Sequence, residues 1–348
     1  MKRFFSLLLA LVLIVSIPVS VCAASLSSGT TALRNQFKYG EGPKTDGYSV
    51  DYRYFSPVSR NDKTKYPLVI WFHGKNNGKT DGQQTKDIAN WASDEFQSRF
   101  TSAGGAFILA PRAREELGLC WDADEMLAPL KAAVDSFIEK NKSNIDLNRI
   151  YIGGFSMGGM MTFKMLMEYP DMFAAAFPYC PASYLTKSMA KKFKNVPVWI
   201  TSSNQDPTVD YDFLILNSWK SITSTSKVKG DCRLSTLTQV CYPDGTAADS
   251  NHYAWFAVSY DMFSSKGGNY PNMSTIDGNG NKVTLSHPEG MISWLTAHTS
   301  EYGKDAENEG GDSSSFFASF FDFVKIQFSN ILASIKNAVA SIFNEVTL

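Results

Sequence analysis

The stretch Gly154-Phe155-Ser156-Met157-Gly158 follows the apolar run Ile150-Tyr151-Ile152-Gly153 and leads into Met160-Met161-Thr162-Phe163-Lys164-Met165-Leu166. Apolar residues of strand length, then small residues around a serine, then a helical pattern describe a strand that turns sharply into a helix. Glycines two before and two after the serine permit that turn, which leaves the hydroxyl exposed. The new helix directs its first N–H groups at the same point, where a developing oxyanion would sit.

The rest of the chain supplies a sheet to hold such a strand. Short apolar runs alternate with longer helical patterns, which predicts an α/β fold, mostly parallel, with helices on both faces. Expected strands are Tyr48–Phe55, Pro67–Phe72, Ala106–Ala110, Arg149–Gly153, Phe173–Pro178 and Val196–Thr201. Expected helices are Thr85–Phe100, Asp124–Lys140, Met157–Glu168, Val209–Thr223, Tyr253–Phe263 and Pro288–His298. Pro67-Leu68-Val69-Ile70-Trp71-Phe72 is apolar throughout, as a strand covered on both faces must be. No compositional break or repeat interrupts the stretch 25–300, which reads as one catalytic domain.

The ends differ. Residues 1–24 carry Lys2-Arg3, an apolar core broken by Pro18 and the small-residue exit Val21-Cys22-Ala23-Ala24, the pattern of a signal peptide. The expected product is secreted or held at the cell surface. Residues 301–315 are polar and glycine-rich, a flexible linker. Residues 316–348 read as an amphipathic helix: Phe317, Phe321, Val324, Phe328, Ile331, Ile335, Ala338 and Ile342 recur at four- and three-residue steps. Lys325 and Lys336 interrupt it too often for a bilayer span. Its expected partner is a membrane surface, another copy of the chain, or the enzyme's own surface.

Loss of Lys2 and Arg3 leaves 31 basic residues against 34 acidic ones, a net charge of −3. With no basic patch, a nucleic-acid partner is not expected. Four cysteines remain, Cys120, Cys180, Cys232 and Cys241. In an exported chain an even number predicts disulfides. Cys232 and Cys241 flank the β-prone segment Leu234 to Val240 and are expected to close a hairpin, with Cys120 pairing with Cys180. No zinc-ligand spacing occurs, so no metal is assigned.

A serine nucleophile on a strand-to-helix elbow of this layout needs a base and an acid, in the chain order Ser, Asp, His. His73 precedes Ser156 at the end of the first buried strand and reads as an oxyanion-loop residue. His252, in a polar loop before an aromatic stretch, is the expected base, with His287 the alternative. Asp206 follows the strand Val196–Thr201 through a short loop and is the expected acid, in competition with Asp210 and Asp212 in the next helix. Backbone N–H groups of Met157 and Lys75 are the expected oxyanion donors.

The segments Asp146-Leu147-Asn148-Arg149-Ile150-Tyr151-Ile152-Gly153-Gly154-Phe155-Ser156-Met157-Gly158-Gly159, Tyr169-Pro170-Asp171-Met172-Phe173-Ala174-Ala175 and His252-Tyr253-Ala254-Trp255 resemble secreted esterases of the α/β-hydrolase superfamily. The resemblance is to the feruloyl esterase and polyhydroxybutyrate depolymerase branch and runs from about Gly47 to His298. It implies the α/β-hydrolase fold, a carboxylic ester substrate (feruloyl or acetyl groups on plant polysaccharide, or a polyester), and no cofactor. It also supports His252 as base and Trp255 as a nearby wall. Asn204 departs from the small turn residue usual in that acid loop. Trp121 and Trp255 are expected aromatic walls for a sugar or phenolic ring, with burial in the core the alternative for both. A prolyl-oligopeptidase-like peptidase shares the triad, and a hydrolase fold used only for binding is the non-enzymatic alternative.

Overall fold

The computed structural model describes residues 31–59, 62–242, 245–259, 272–284 and 290–304. The expected signal peptide, most of the linker, the C-terminal helix, His287 and the end of the helix expected over Tyr253–Phe263 lie outside these residues. The chain divides into two compact units, Met1–Ser300 and Glu301–Leu348. The first unit holds the sheet and every candidate site residue.

Among the described residues nine strands form a single sheet: β1 (Lys38–Glu41), β2 (Asp51–Phe55), β3 (Tyr66–Phe72), β4 (Phe107–Pro111), β5 (Ile145–Phe155), β6 (Ala175–Tyr179), β7 (Trp199–Ser203), β8 (Arg233–Leu237) and β9 (Met273–Asp277). Their spatial order is β1-β2-β4-β3-β5-β6-β7-β8-β9. The run from β4 to β8 is parallel, whereas β1, β2 and β9 add antiparallel edges. The six strands expected from the sequence are β2 to β7, and β8 overlaps the β-prone segment between Cys232 and Cys241. Strands β1 and β9 have no counterpart among the expected elements, because each is a short strand without the apolar run that betrays a buried one.

Side chains alternate across β3. Val69 and Trp71 join a core with Trp91, Phe96, Phe100, Phe177, Phe256, Met291 and Leu295. Leu68, Ile70 and Phe72 face the other way by the two-residue period of a strand and are equally buried. On that side helix α1 (Leu127–Lys140) places Phe137 edge-on against Tyr52 and Phe107. Helix α2 (Met157–Glu168) lies against β3, β5 and β6. Both faces of the central strands are therefore sealed, which is what an all-apolar strand requires.

Two expected helices are divided. In place of Thr85–Phe100 the chain makes 3-10 turns at Gln83–Thr85 and Ala89–Ala92, then a single helical turn at Asp94–Gln97. Ser93 is extended there and its hydroxyl accepts the Phe96 N–H, so it ends one segment and caps the next. In place of Val209–Thr223 a wide π turn at Tyr211–Leu216 leads into helix α3 (Asn217–Thr225). Asp210 caps that turn by accepting the Phe213 N–H at 2.7 Å.

The expected disulfides are not formed: neither Cys232 with Cys241 nor Cys120 with Cys180 is bridged. Cys232 stands before β8 and Cys241 beyond it, and β8 is one strand between β7 and β9, not half of a local hairpin. Five extended residues span roughly 16 Å, far outside the Cα separation a disulfide tolerates. Cys120 and Cys180 have separate neighbours. The Cys120 sulfur lies 3.6 Å from that of Met157, and the Cys180 sulfur lies 3.6 Å from the Ser202 hydroxyl.

Candidate active site

Ser156 sits between β5 and α2 with φ 56° and ψ −114°, a backbone state that L residues rarely adopt. Such strain costs on the order of 1–3 kcal/mol, and the surrounding contacts hold it. The Ser156 N–H donates to Tyr179 O at 2.9 Å, and the Ser156 carbonyl accepts the N–H groups of Met160 and Ala182. The two motif glycines are demanded by close approach. A Cβ at Gly158 would stand 2.1 Å from Phe72 O, and one at Gly154 would stand 2.5 Å from the Gly158 carbonyl.

Three side chains from separate parts of the chain converge here. The Ser156 hydroxyl donates to His252 Nε2 at 3.1 Å, and His252 Nδ1–H donates to Asp206 Oδ2 at 2.8 Å. The other carboxylate oxygen of Asp206 accepts the N–H groups of Thr208 and Val209 at 2.8 and 3.0 Å. Burial alone would raise the Asp206 pKa, but the hydrogen bonds from His252, Val209 and Thr208 outweigh it and hold the carboxyl below its ordinary value. The imidazole of His252 packs on Phe155 with ring centroids 4.8 Å apart. Asp210 is occupied in its cap and does not compete for the imidazole.

Beside the serine, Met157 is the first residue of α2, so its N–H has no acceptor within the helix. Lys75 comes from the loop after β3. Its peptide plane is set by His73, whose Nδ1–H donates to Gly74 O at 2.7 Å while Nε2 accepts the Ala113 N–H at 3.0 Å. Complete burial, and to a lesser degree the Arg112 charge, push the His73 pKa down to about 4 against the opposing pull of the Gly74 carbonyl. The ring is therefore neutral at physiological pH, as its two different partners require.

Lys75, Met157, Ser156 and His252 all border a cleft of about 880 Å³. Phe155, Tyr242, Tyr253, Trp255 and Phe256 form an aromatic wall, and Asn76, Asn77 and Lys86 line it as well. Trp255 is thus at the cleft, its ring against Phe256. Trp121 is not. It is fully buried, its Nε1–H donates to His73 O at 2.9 Å, and its ring packs on His73 and Phe72. The expectation of a substrate wall at Trp121 is corrected: it props the end of β3. Tyr242 and Tyr253 are walls that no motif marks, although the position of Tyr253 beside His252 is itself a clue.

Residues 124–256 match the prolyl oligopeptidase family. A solved structure of a thermostable esterase superposes with a TM-score of 0.57 at 25% identity, covering 77% of this chain and 64% of that one. The chain is similar to dipeptidyl aminopeptidase A of Saccharomyces cerevisiae, 26% identical over 40% of this chain and 16% of that protein. It is also similar to a poly(3-hydroxybutyrate) depolymerase of Ralstonia pickettii, 29% identical over 44% of this chain and 34% of that one. The matched part thus spans between about a sixth and a third of these two relatives' length. With the strand order and the strand–Ser156–helix turn, these likenesses define the α/β-hydrolase fold. The likenesses run to an esterase and a depolymerase on one side and to peptidases on the other.

Proposed function

We propose that this protein is an exported carboxylic ester hydrolase that works through an acyl-enzyme on Ser156. The observation that carries the reading is the unbroken hydrogen-bond chain from Ser156 through His252 to Asp206. Ser156 Oγ attacks the ester carbonyl as its proton passes to His252 Nε2. Asp206 holds the imidazole with Nδ1–H toward itself and stabilises the imidazolium that forms. The carbonyl oxygen, now an oxyanion, is received by the N–H groups of Met157 and Lys75. His252 returns the proton to the departing alcohol. Water then attacks the acyl group by the same route in reverse, and the cycle requires no cofactor.

The substrate we favour is an ester carried on a larger polymer, either feruloyl or acetyl groups on plant polysaccharide or a polyester. Likeness to an esterase structure and to a polyester depolymerase supports it, as does an open cleft walled by aromatic rings that suit a phenolic or sugar ring. Peptidase activity is the second reading, favoured by the prolyl oligopeptidase match over residues 124–256. The deciding assay sets the purified chain against acetyl, feruloyl and hydroxybutyrate esters and a prolyl peptide, beside Ser156→Ala. Turnover of the peptide alone would reject the esterase reading, and full activity in Ser156→Ala would reject the nucleophile.

We further propose that residues 316–348 attach the enzyme to a membrane surface or to a second copy and take no part in catalysis. Truncation after Ser300 is expected to keep turnover of a soluble ester and to abolish sedimentation with liposomes or self-association in light scattering. Loss of turnover would instead make the segment part of the catalytic structure.

A further inference from the structure

Beneath the Ser156 relay lies a thiol that the proposed reaction does not use. Cys180 ends β6 in a left-handed conformation, φ 41°, and its N–H donates to Thr201 O at 2.9 Å, which fixes the side chain under the His252 loop. Its sulfur is 3.7 Å from His252 O and 3.6 Å from the Ser202 hydroxyl. One donor atom each from Cys180, Asp206 and His252 falls within 4.8 Å of the others. Thiolate, imidazole and carboxylate together make a donor set suited to a thiophilic d¹⁰ cation.

We propose that Cys180, Asp206 and His252 form an inhibitory site for thiophilic divalent metal ions such as zinc or cadmium. Its effect on activity rests on the triad reading above; the binding itself does not. Zinc bond lengths place tetrahedral ligand atoms about 3.5 Å apart, so closing this cluster on zinc takes shifts of about 1 Å, and the larger cadmium ion needs less. The His252 side chain is partly exposed and borders the cleft, whereas that of Asp206 is fully buried, so the ion enters past the imidazole.

The proton balance explains the inhibition. Without metal the Cys180 thiol keeps its hydrogen, which points toward His252 O, 3.7 Å from the sulfur. A bound cation replaces that proton, which leaves to solvent, and a sulfur–metal bond forms. The metal takes the Nδ1 lone pair of His252 once the ring proton has moved from Nδ1 to Nε2. The imidazole remains neutral, but its Nε2 now carries a hydrogen and can no longer accept the proton of Ser156. The same ion withdraws the Asp206 carboxylate from the ring.

The test is cadmium titration of the purified full chain, read two ways. Equilibrium dialysis and the cadmium–thiolate charge-transfer absorption report binding, and hydrolysis of a soluble nitrophenyl ester reports activity. Wild type is expected to lose activity over the same concentration range in which the thiolate band grows, with recovery on adding a chelator. Cys180→Ser and Cys180→Ala are expected to lose the band and to need at least ~10-fold more cadmium for inhibition, the loss typical of removing even an outer-shell partner of a metal. Cys120→Ser is the control, because the Cys120 sulfur has its own soft neighbour in Met157. Inhibition unchanged in both Cys180 variants, or abolished in Cys120→Ser, would overturn the proposal. Should both Cys180 variants misfold in thermal unfolding, Asp206→Asn serves instead, and wild-type cadmium affinity there would equally overturn it. A Cys180-dependent thiolate band in an enzyme whose Ser156→Ala variant is fully active would mark failure of the triad reading and not of the metal site.

Discussion

Asp206→Asn is the most discriminating perturbation of the relay, because the geometry around this carboxylate decides how the replacement must sit. Asp206 is enclosed, its side chain fully buried, with Thr208 N–H and Val209 N–H pointing at one oxygen and His252 Nδ1–H at the other. An asparagine has one acceptor oxygen and one NH₂ group. If the NH₂ faced the two backbone donors, two hydrogen bonds would be lost in a buried place, at about 1–3 kcal/mol each. The amide oxygen therefore stays with Thr208 and Val209, and the NH₂ faces His252. Nδ1 must then accept, the ring proton moves to Nε2, and the base that should receive the Ser156 proton is blocked. A wrong tautomer in an intact triad costs on the order of 10⁴ in kcat, equivalent to about 5.5 kcal/mol of transition-state stabilisation. The assay is steady-state hydrolysis of a soluble ester, with thermal unfolding to show that the fold is kept. KM is expected to change little, since the cleft does not include the Asp206 side chain. A variant that keeps more than about a tenth of wild-type kcat would refute the reasoning, as would an equal loss in Asp210→Asn.

Other outcomes rest on single contacts. Gly158→Ala would set a methyl group 2.1 Å from Phe72 O, so the elbow must open; loss of ester turnover with a lowered melting temperature is expected, and an active, equally stable variant would contradict the structure. Asp87 is buried, and burial pushes its pKa up to about 7 from 3.8 against the opposing pull of the Lys86 charge and the Trp71 side chain. Its folded-state pKa is raised, so between these values the folded chain keeps a proton that the unfolded chain releases, and stability falls as pH rises through that window. The full cost, about 4 kcal/mol, stands above pH 7. Asp87→Asn is therefore expected to raise the melting temperature relative to wild type by an amount that grows from about pH 4 to about pH 8, and a difference independent of pH would overturn the assignment.

The legible parts of this chain are those in which one residue type answers one physical demand. Strand β3 is readable because a strand sealed on both faces cannot hide its apolar run, and the Ser156 turn because only glycine survives the contacts at 154 and 158. His252 and Asp206 are readable from chain order and loop position, and they stand 46 residues apart in sequence yet 2.8 Å apart in space. Strands β1 and β9 are hidden because they are short and carry no apolar run, and the broken helix after Gln83 by a local capping choice at Ser93 that propensity does not see. The cysteines mislead because parity and an expected export signal say nothing of geometry: a single strand separates Cys232 from Cys241. Trp121 misleads for a related reason. An indole near a site serves as a wall or as a prop, and only the carbonyl it binds distinguishes the two.

That carbonyl belongs to His73, and it joins the sheet to the place where an oxyanion would form. In a trans peptide the C=O and N–H point in opposite directions. His73 Nδ1 holds Gly74 O, so the N–H of Lys75 in the same peptide is sent the other way. His73 is itself held at three points: its Nε2 by Ala113 N–H beyond β4, its carbonyl by Trp121, and its ring by packing on that same indole. Gly78 closes the far side of the ring, where a Cβ would come within 2.6 Å of it. Only a neutral imidazole can accept at Nε2 and donate at Nδ1 at once, and complete burial keeps it neutral. An oxyanion donor of this kind is worth ~3 kcal/mol only if it is aimed before the charge develops. Here the aim comes from buried, uncharged contacts at the ends of β3 and β4, and the exposed lysine side chain at position 75 is not needed for it.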